Sequence, residues 1–181
     1  MLCGAAPEHY GVRMRISETV EHAADPERVL EMLCSSDYQD LKCERSGSLE
    51  HEVVIEIEED ATTVVTRRRL PTDGFPDFAR NFVGEAVDVI ETQRWGPEQE
   101  DGGRTAVLTV ELPRTPVHLT GSVRLEPSQT GTLQTVEGEL KARVPLIGGR
   151  IEQVVAPVIS SAVRLEAAVG RDWLRQHGST G

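Results

Sequence analysis

The sequence predicts an α+β fold: a curved seven-stranded antiparallel sheet wrapped around a long C-terminal helix, with two short helices after the first strand. Three observations carry that prediction. Residues Ile151, Val154, Val155, Val158, Ala162, Leu165, Val169 and Trp173 recur at helical spacing within 147–177. Most of the preceding chain consists of short alternating segments separated by turn residues. An apolar helical stripe must be buried, and the concave face of such a sheet is the partner the chain offers, with space between them for a ligand.

The elements follow in order. Alternation over 14–22 gives a first strand. Asp25-Pro26-Glu27 then supplies a capping carboxylate, a proline for the first turn and an acid near the positive helix end. The short helix that follows has Val29, Leu30, Leu33 and Cys34 as its apolar face, and a second spans 36–43 before Ser46-Gly47 breaks the pattern. Strands 51–57 and 62–70 form a hairpin with Glu59-Asp60 at the tip, pairing Ile57 with Thr62, Ile55 with Val64 and Val53 with Thr66. In that register His51 faces Arg68 at the far end of the apolar face, and a slip of one residue would invert every facing.

A fourth strand spans 86–95 with no clear inner face, and Gly96-Pro97 ends it. Strands 105–112 and 117–125 form a second hairpin that sets Leu112 beside Val117, Val110 beside Leu119, Leu108 beside Gly121 and Ala106 beside Val123. The last strand, 132–144, puts Val136, Gly138, Leu140 and Ala142 on its apolar side. Small residues there serve either sheet curvature and close packing or room for a ligand. Phe75, Phe78 and Phe82, the three phenylalanines of the chain, fall together at i, i+3, i+7 on a short helix opened by Pro76-Asp77 and closed by Gly84. That helix reads either as a cover over part of the core or as a mobile lid at a cavity mouth. Gly148-Gly149 gives a tight entry to the last helix, and Pro157 within it predicts a bend or a break.

Composition excludes several classes of function. At 181 residues the chain suits one domain with a substantial core, expected over 14–177, with a loose extension at 1–13 and a tail at 178–181. A net charge of −11 opposes binding to nucleic-acid phosphates or to an anionic membrane surface. No leader-like start and no run of about eighteen apolar residues is present, so the expectation is a cytoplasmic protein without integral membrane association. Cys3, Cys34 and Cys43 fit neither a zinc ribbon nor a redox pair, and the five histidines are scattered. No metal or cofactor is expected, because Gly148-Gly149 lacks the lysine-serine or spaced-glycine context of a nucleotide loop.

The element order resembles the helix-grip fold of the START-like (SRPBCC) superfamily, which includes the birch pollen allergen family, polyketide cyclases and lipid-transfer domains. Nearer resemblance lies in Trp95-Gly96, in the run from Pro116 to Leu125, and above all in Val144-Pro145-Leu146-Ile147-Gly148-Gly149-Arg150-Ile151-Glu152 with Asp172-Trp173-Leu174. These segments look like an actinobacterial family of domains of unknown function, over about 14–174. The resemblance implies a hydrophobic cavity between sheet and helix and a role in binding lipids, polyketides or similar apolar molecules; it implies no catalytic motif, and fold is only an associational warrant for function.

Three functions are compatible with these readings. The first is binding or carriage of a small apolar molecule without catalysis, with a cavity lined by Val53, Ile55, Val64, Leu108, Val110, Leu119, Val123, Val136, Leu140, Val155, Ile159 and Ala162, and with Phe75, Phe78 and Phe82 at its mouth. Arg68 beside His51 would then either hold a ligand carboxylate or phosphate through its planar fork, or close a salt bridge. The second is a cyclase-like or aromatase-like enzyme using His51, Arg68 or Glu91. The third is a protein-interaction module with a filled core and an acidic surface.

Overall fold

The computed structural model describes residues 14–178, so the extension expected at 1–13 and residues 179–181 of the tail lie outside the described residues. Alternating segments form the strands β1 (Met14–His22), β2 (Glu50–Ile57), β3 (Thr62–Pro71), β4 (Ala86–Trp95), β5 (Arg104–Glu111), β6 (Val117–Ser128) and β7 (Gly131–Ala142). Helices α1 (Pro26–Leu33) and α2 (Ser36–Arg45) follow β1, α3 (Asp77–Val83) lies between β3 and β4, and α4 (Gly148–His177) ends the chain. One seven-stranded sheet results, fully antiparallel, in the order β1-β7-β6-β5-β4-β3-β2. This is the α+β architecture that the hydrophobic patterns predict, and the helix-grip arrangement that the resemblance implies.

Local chemistry sets the helix starts. Asp25 accepts a hydrogen bond from the Arg28 amide at 2.9 Å, and the Ser35 hydroxyl accepts from the Tyr38 amide at 3.2 Å, so each helix has one otherwise unpaired donor satisfied. Both hairpins take the expected registers, including His51 opposite Arg68 and Leu108 opposite Gly121. β7 stops two residues earlier than its alternation suggests, at Ala142, because the chain turns there: the Val144 amide bonds back to Ala142 O, and Pro145 has no amide to extend a ladder. The turn is tight, and a β-carbon on Gly148 would stand 2.2 Å from Ala142 O. Glu152, buried on the first turn of α4, accepts from the Ala142 amide at 2.9 Å and fastens the helix start to the end of the sheet.

α4 runs unbroken through Pro157 and packs on β1, β7 and α2. Its far end is held from α1: the Arg28 guanidinium lies over the Trp173 ring at 5.2 Å and donates to His177 O at 2.7 Å. The core includes Val29 and Met32 of α1, Leu108, Leu119, Val123 and Leu140 of the sheet, and Ile151, Val169 and Trp173 of α4. Burying such side chains stabilises the fold by roughly 1.5 to 3 kcal/mol each.

Candidate functional site

The middle of α4 stands off the sheet and leaves a cavity of about 380 Å³, within the range of small-molecule sites. Sheet curvature makes the room. A β-carbon on Gly121 of β6 would stand 1.9 Å from Glu137 O of β7, so the two strands approach more closely there than any side chain allows. Gly138 belongs to the cavity wall, and a β-carbon there would meet the Leu119 side chain at 2.9 Å. Close approach accounts for both glycines, and of the two Gly138 borders the cavity.

The apolar wall comes from both layers. Leu108, Val110, Leu119, Val123, Val136 and Leu140 of the sheet face Val155, Ile159 and Ala162 of α4, all named from the sequence. Phe75 and Arg68 also belong to the wall. Val53, Ile55, Val64 and His51, expected in the cavity, stand outside its wall; for the three on β2, α2 rather than α4 packs over the strand. Val64 is buried in the core, Ile55 packs against it and Val53 is half-buried. His51 turns toward α2, with Nε2 at 3.2 Å from an Asp40 carboxylate oxygen.

The phenylalanines divide. Phe75 precedes α3 and reaches the cavity, whereas Phe78 and Phe82 pack against the rim of the core outside its wall. α3 opens at Asp77 with Pro76 as its cap, so Phe75 lies outside the helix and its ring departs from the helical face that spacing assigned to all three. The Arg150 guanidinium of α4 covers the Phe78 ring at 4.5 Å, coupling α3 to the start of the long helix.

One end of the cavity is polar. Arg68 Nη2 donates to Glu91 Oε2 at 2.7 Å, while Lys42 Nζ and Gln93 Nε2 donate to Glu91 Oε1 at 3.1 and 2.8 Å. Lys42, Arg68, Glu91 and Gln93 are all buried, and Glu166 of α4 adds a second carboxylate 3.9 Å from Lys42. Burial by itself would raise the Glu91 carboxyl; Lys42, Arg68 and the Gln93 amide outweigh it and bring the group down to about 2. Glu166 goes the other way: burial, reinforced by the Glu91 charge and opposed by Lys42 and Arg68, pushes its carboxyl above the usual range. Tyr38, which donates to Glu166 O at 3.3 Å, is raised well above an ordinary phenol by burial and then by the Glu166 and Glu91 charges.

Periodicity carried signals for this network. Val155, Ile159, Ala162 and Glu166 follow one another at helical spacing, so Glu166 continues the apolar stripe. Lys42 shares a face of α2 with buried Tyr38, Gln39 and Cys43. In β4, Glu91 and Gln93 alternate in phase with buried Val87, Val89 and Trp95, which settles the facing of that strand. Among the described residues, no group of three or more His, Cys, Asp or Glu side chains is placed to hold a metal ion, and no helix is long and apolar enough to cross a membrane.

Comparison with known structures supports the same architecture. The chain is similar to the protein TTHA0849 from Thermus thermophilus (TM-score 0.59, 15% identity, covering 93% of this chain and 99% of that one). It is also similar to the Zhui aromatase/cyclase from Streptomyces sp. R1128 (TM-score 0.55, 17% identity, 93% and 98% covered). A third similar structure is the human StarD13 lipid transfer and protein localization domain (TM-score 0.52, 15% identity, 86% and 73% covered). At these identities the likeness establishes the START-like fold. In sequence, an uncharacterized protein of Mycobacterium tuberculosis (strain H37Rv) is 26% identical over 113 residues, which are 61% of this chain and 64% of that protein. An uncharacterized protein of Mycobacterium bovis matches to the same extent, so the chain spans a little under two thirds of these relatives' length. A family model matches residues 17–174, and the chain belongs to that family, described as Protein of unknown function (DUF2505).

Proposed function

We propose that the protein binds and carries a small apolar molecule in the cavity between the sheet and α4, without transforming it. The observation that supports this reading best is the cavity itself: about 380 Å³ of space, walled mainly by aliphatic side chains from both layers. A filled-core interaction module would leave no such space. The StarD13 domain, a lipid transfer domain by its description, offers the same fold for that use. Carriage without catalysis is favoured by the state of Glu91, whose carboxylate is held by three donors and ionises at about 2, making it a poor proton acceptor.

One observation favours a second reading, an aromatase/cyclase-like activity. Glu166 belongs to the cavity wall with its carboxyl raised above the usual range by burial, a state that suits a proton donor.

Fluorescence titration with Nile red tests the carrier reading. The expected result is saturable binding at one site, weakened about tenfold or more by Ala162→Phe, which places a ring in the cavity. Absence of saturable binding, together with a native mass showing no co-purifying organic molecule, would overturn it. A co-purifying ligand whose mass changes on incubation would instead support the enzyme.

A further inference from the structure

The cavity wall holds three charged side chains, Arg68, Glu91 and Glu166. Arg68 and Glu91 are committed to each other at 2.7 Å and keep only 7% and 9% of their side chains exposed, whereas Glu166 keeps 20%. Glu166 is also the poorly partnered one. Its Oε1 lies 3.9 Å from Lys42 Nζ, beyond hydrogen-bond length, and Lys42 already donates to Glu91 at 3.1 Å. The Tyr38 hydroxyl goes to the main-chain oxygen of Glu166, so among the described residues no hydrogen bond reaches its carboxyl.

Helix geometry sets where that carboxyl lies. Glu166 continues the stripe of Val155, Ile159 and Ala162 along α4, which faces the sheet. Burial raises its hold on a proton, the Glu91 charge adds to this, and Lys42 and Arg68 together fall short of cancelling the two. A side chain shielded from bulk water in this way, yet one-fifth accessible, borders an internal space, which here is the cavity. The same balance says which charge is missing. A carboxyl that holds its proton more tightly than in water sits where added positive charge is favourable. A ligand carboxylate would set a third acid beside two carboxyl groups, and an ether would bring neither a donor nor a charge. An alcohol brings a donor alone. A protonated amine brings donors and the charge together, in the place a proton would otherwise take.

On the reading of the cavity as a ligand site, we propose that its ligand is an amphiphilic amine, whose ammonium group donates to the Glu166 carboxylate while its apolar body lies between α4 and the sheet. Glu166 is then the specificity-determining residue of the cavity. Glu91 takes the hydrogen bonds of both Arg68 and Lys42, which leaves Glu166 open to a cation from the ligand. Alcohols and carboxylates with the same apolar body bind less well.

Displacement of bound Nile red by decylamine, 1-decanol and decanoate at neutral pH tests this, since an alkylamine, like the lysine side chain, is protonated there. Decylamine is expected to displace the dye at concentrations about tenfold or more below decanol, with decanoate weaker still. Glu166→Gln, which keeps the size of the side chain and removes its charge, is expected to bring decylamine and decanol to within about twofold of each other. Equal displacement by amine and alcohol on the native protein would overturn amine recognition and leave the cavity reading standing. Preference for decanol or decanoate would overturn it as well. Failure of Nile red itself to bind the native protein would instead remove the cavity reading, and the amine site with it. If Glu166→Gln does not fold, Glu166→Met serves the same comparison, and a retained tenfold preference for decylamine in the folded variant would also overturn the proposal.

Discussion

Arg68 on β3 and Glu91 on β4 meet at 2.7 Å beneath the cavity, diagonally across neighbouring strands, both buried and both on the face that alternation assigns to apolar side chains. Breaking such a pair from one side strands a charge in low dielectric. Glu91→Gln leaves Lys42 and Arg68 without a full countercharge and is expected to cost about 3 to 5 kcal/mol in urea unfolding.

The same carboxylate gives the fold an acid limit. Its folded value, about 2, lies below the ordinary 4.5, so the unfolded chain takes up the proton first as pH falls. The stabilisation is complete above about pH 4.5 and is lost between there and about pH 2. A urea midpoint that falls steeply across this window in the native protein, and less steeply in a folded Glu91→Gln variant, would show it.

A second group acts nearer neutrality. His22 is 1% exposed, with Nε2 and Gln134 Oε1 2.7 Å apart; burial lowers its value below 6.5, opposed by the Gln134 bond and assisted by Arg171. Its contribution is complete above about pH 6.5 and declines below it as the unfolded imidazole gains a proton, with a slope of at most about 1.4 kcal/mol per pH unit. Unfolding free energies of the native protein and of His22→Gln, followed from about pH 7.5 to about pH 5, are expected to diverge through loss of this slope in the variant.

Two glycine substitutions should behave in opposite ways. Gly121→Ala drives a methyl group to 1.9 Å from the Glu137 carbonyl and is expected to destabilise by about 3 kcal/mol or more, or to prevent folding. Gly149 has open space around its missing β-carbon in the first turn of α4, and Gly149→Ala is expected to raise the thermal midpoint, by up to about 1 kcal/mol of helix propensity. Thermal unfolding of the two variants side by side checks both.

The arginine over Phe78 gives a kinetic prediction. Phe78→Ala removes the ring under Arg150 and uncouples α3 from the start of α4. Stopped-flow mixing is expected to show faster Nile red release, with little change in equilibrium folding. Unchanged release in a folded variant would leave α3 as a static cover.

Hairpin registers were legible in the sequence because alternation admits one solution: a slip by a residue would turn Val53 and Ile55 outward and Glu52 and Glu56 inward. The same rule left β4 ambiguous, since Glu91 and Gln93 occupy inner positions and the pattern reads polar on both sides. Lys42 was hidden for a related reason. A lysine on a short helix is ordinarily solvated, and only a carboxylate from a distant strand makes its burial tolerable. Placing Val53 and Ile55 in the cavity failed at tertiary level. Alternation identifies the inner face of a strand but not which helix covers it, and here α2 covers β2.

Glu91 also determines when disorder is lost. Arg68 and Gln93 carry flexible side chains that a binding site would ordinarily have to immobilise around its guest, at about 0.5 to 1.5 kcal/mol for each. Because one carboxylate holds both as the sheet assembles, that entropy is surrendered during folding, which leaves the polar end of the cavity fixed in the folded protein.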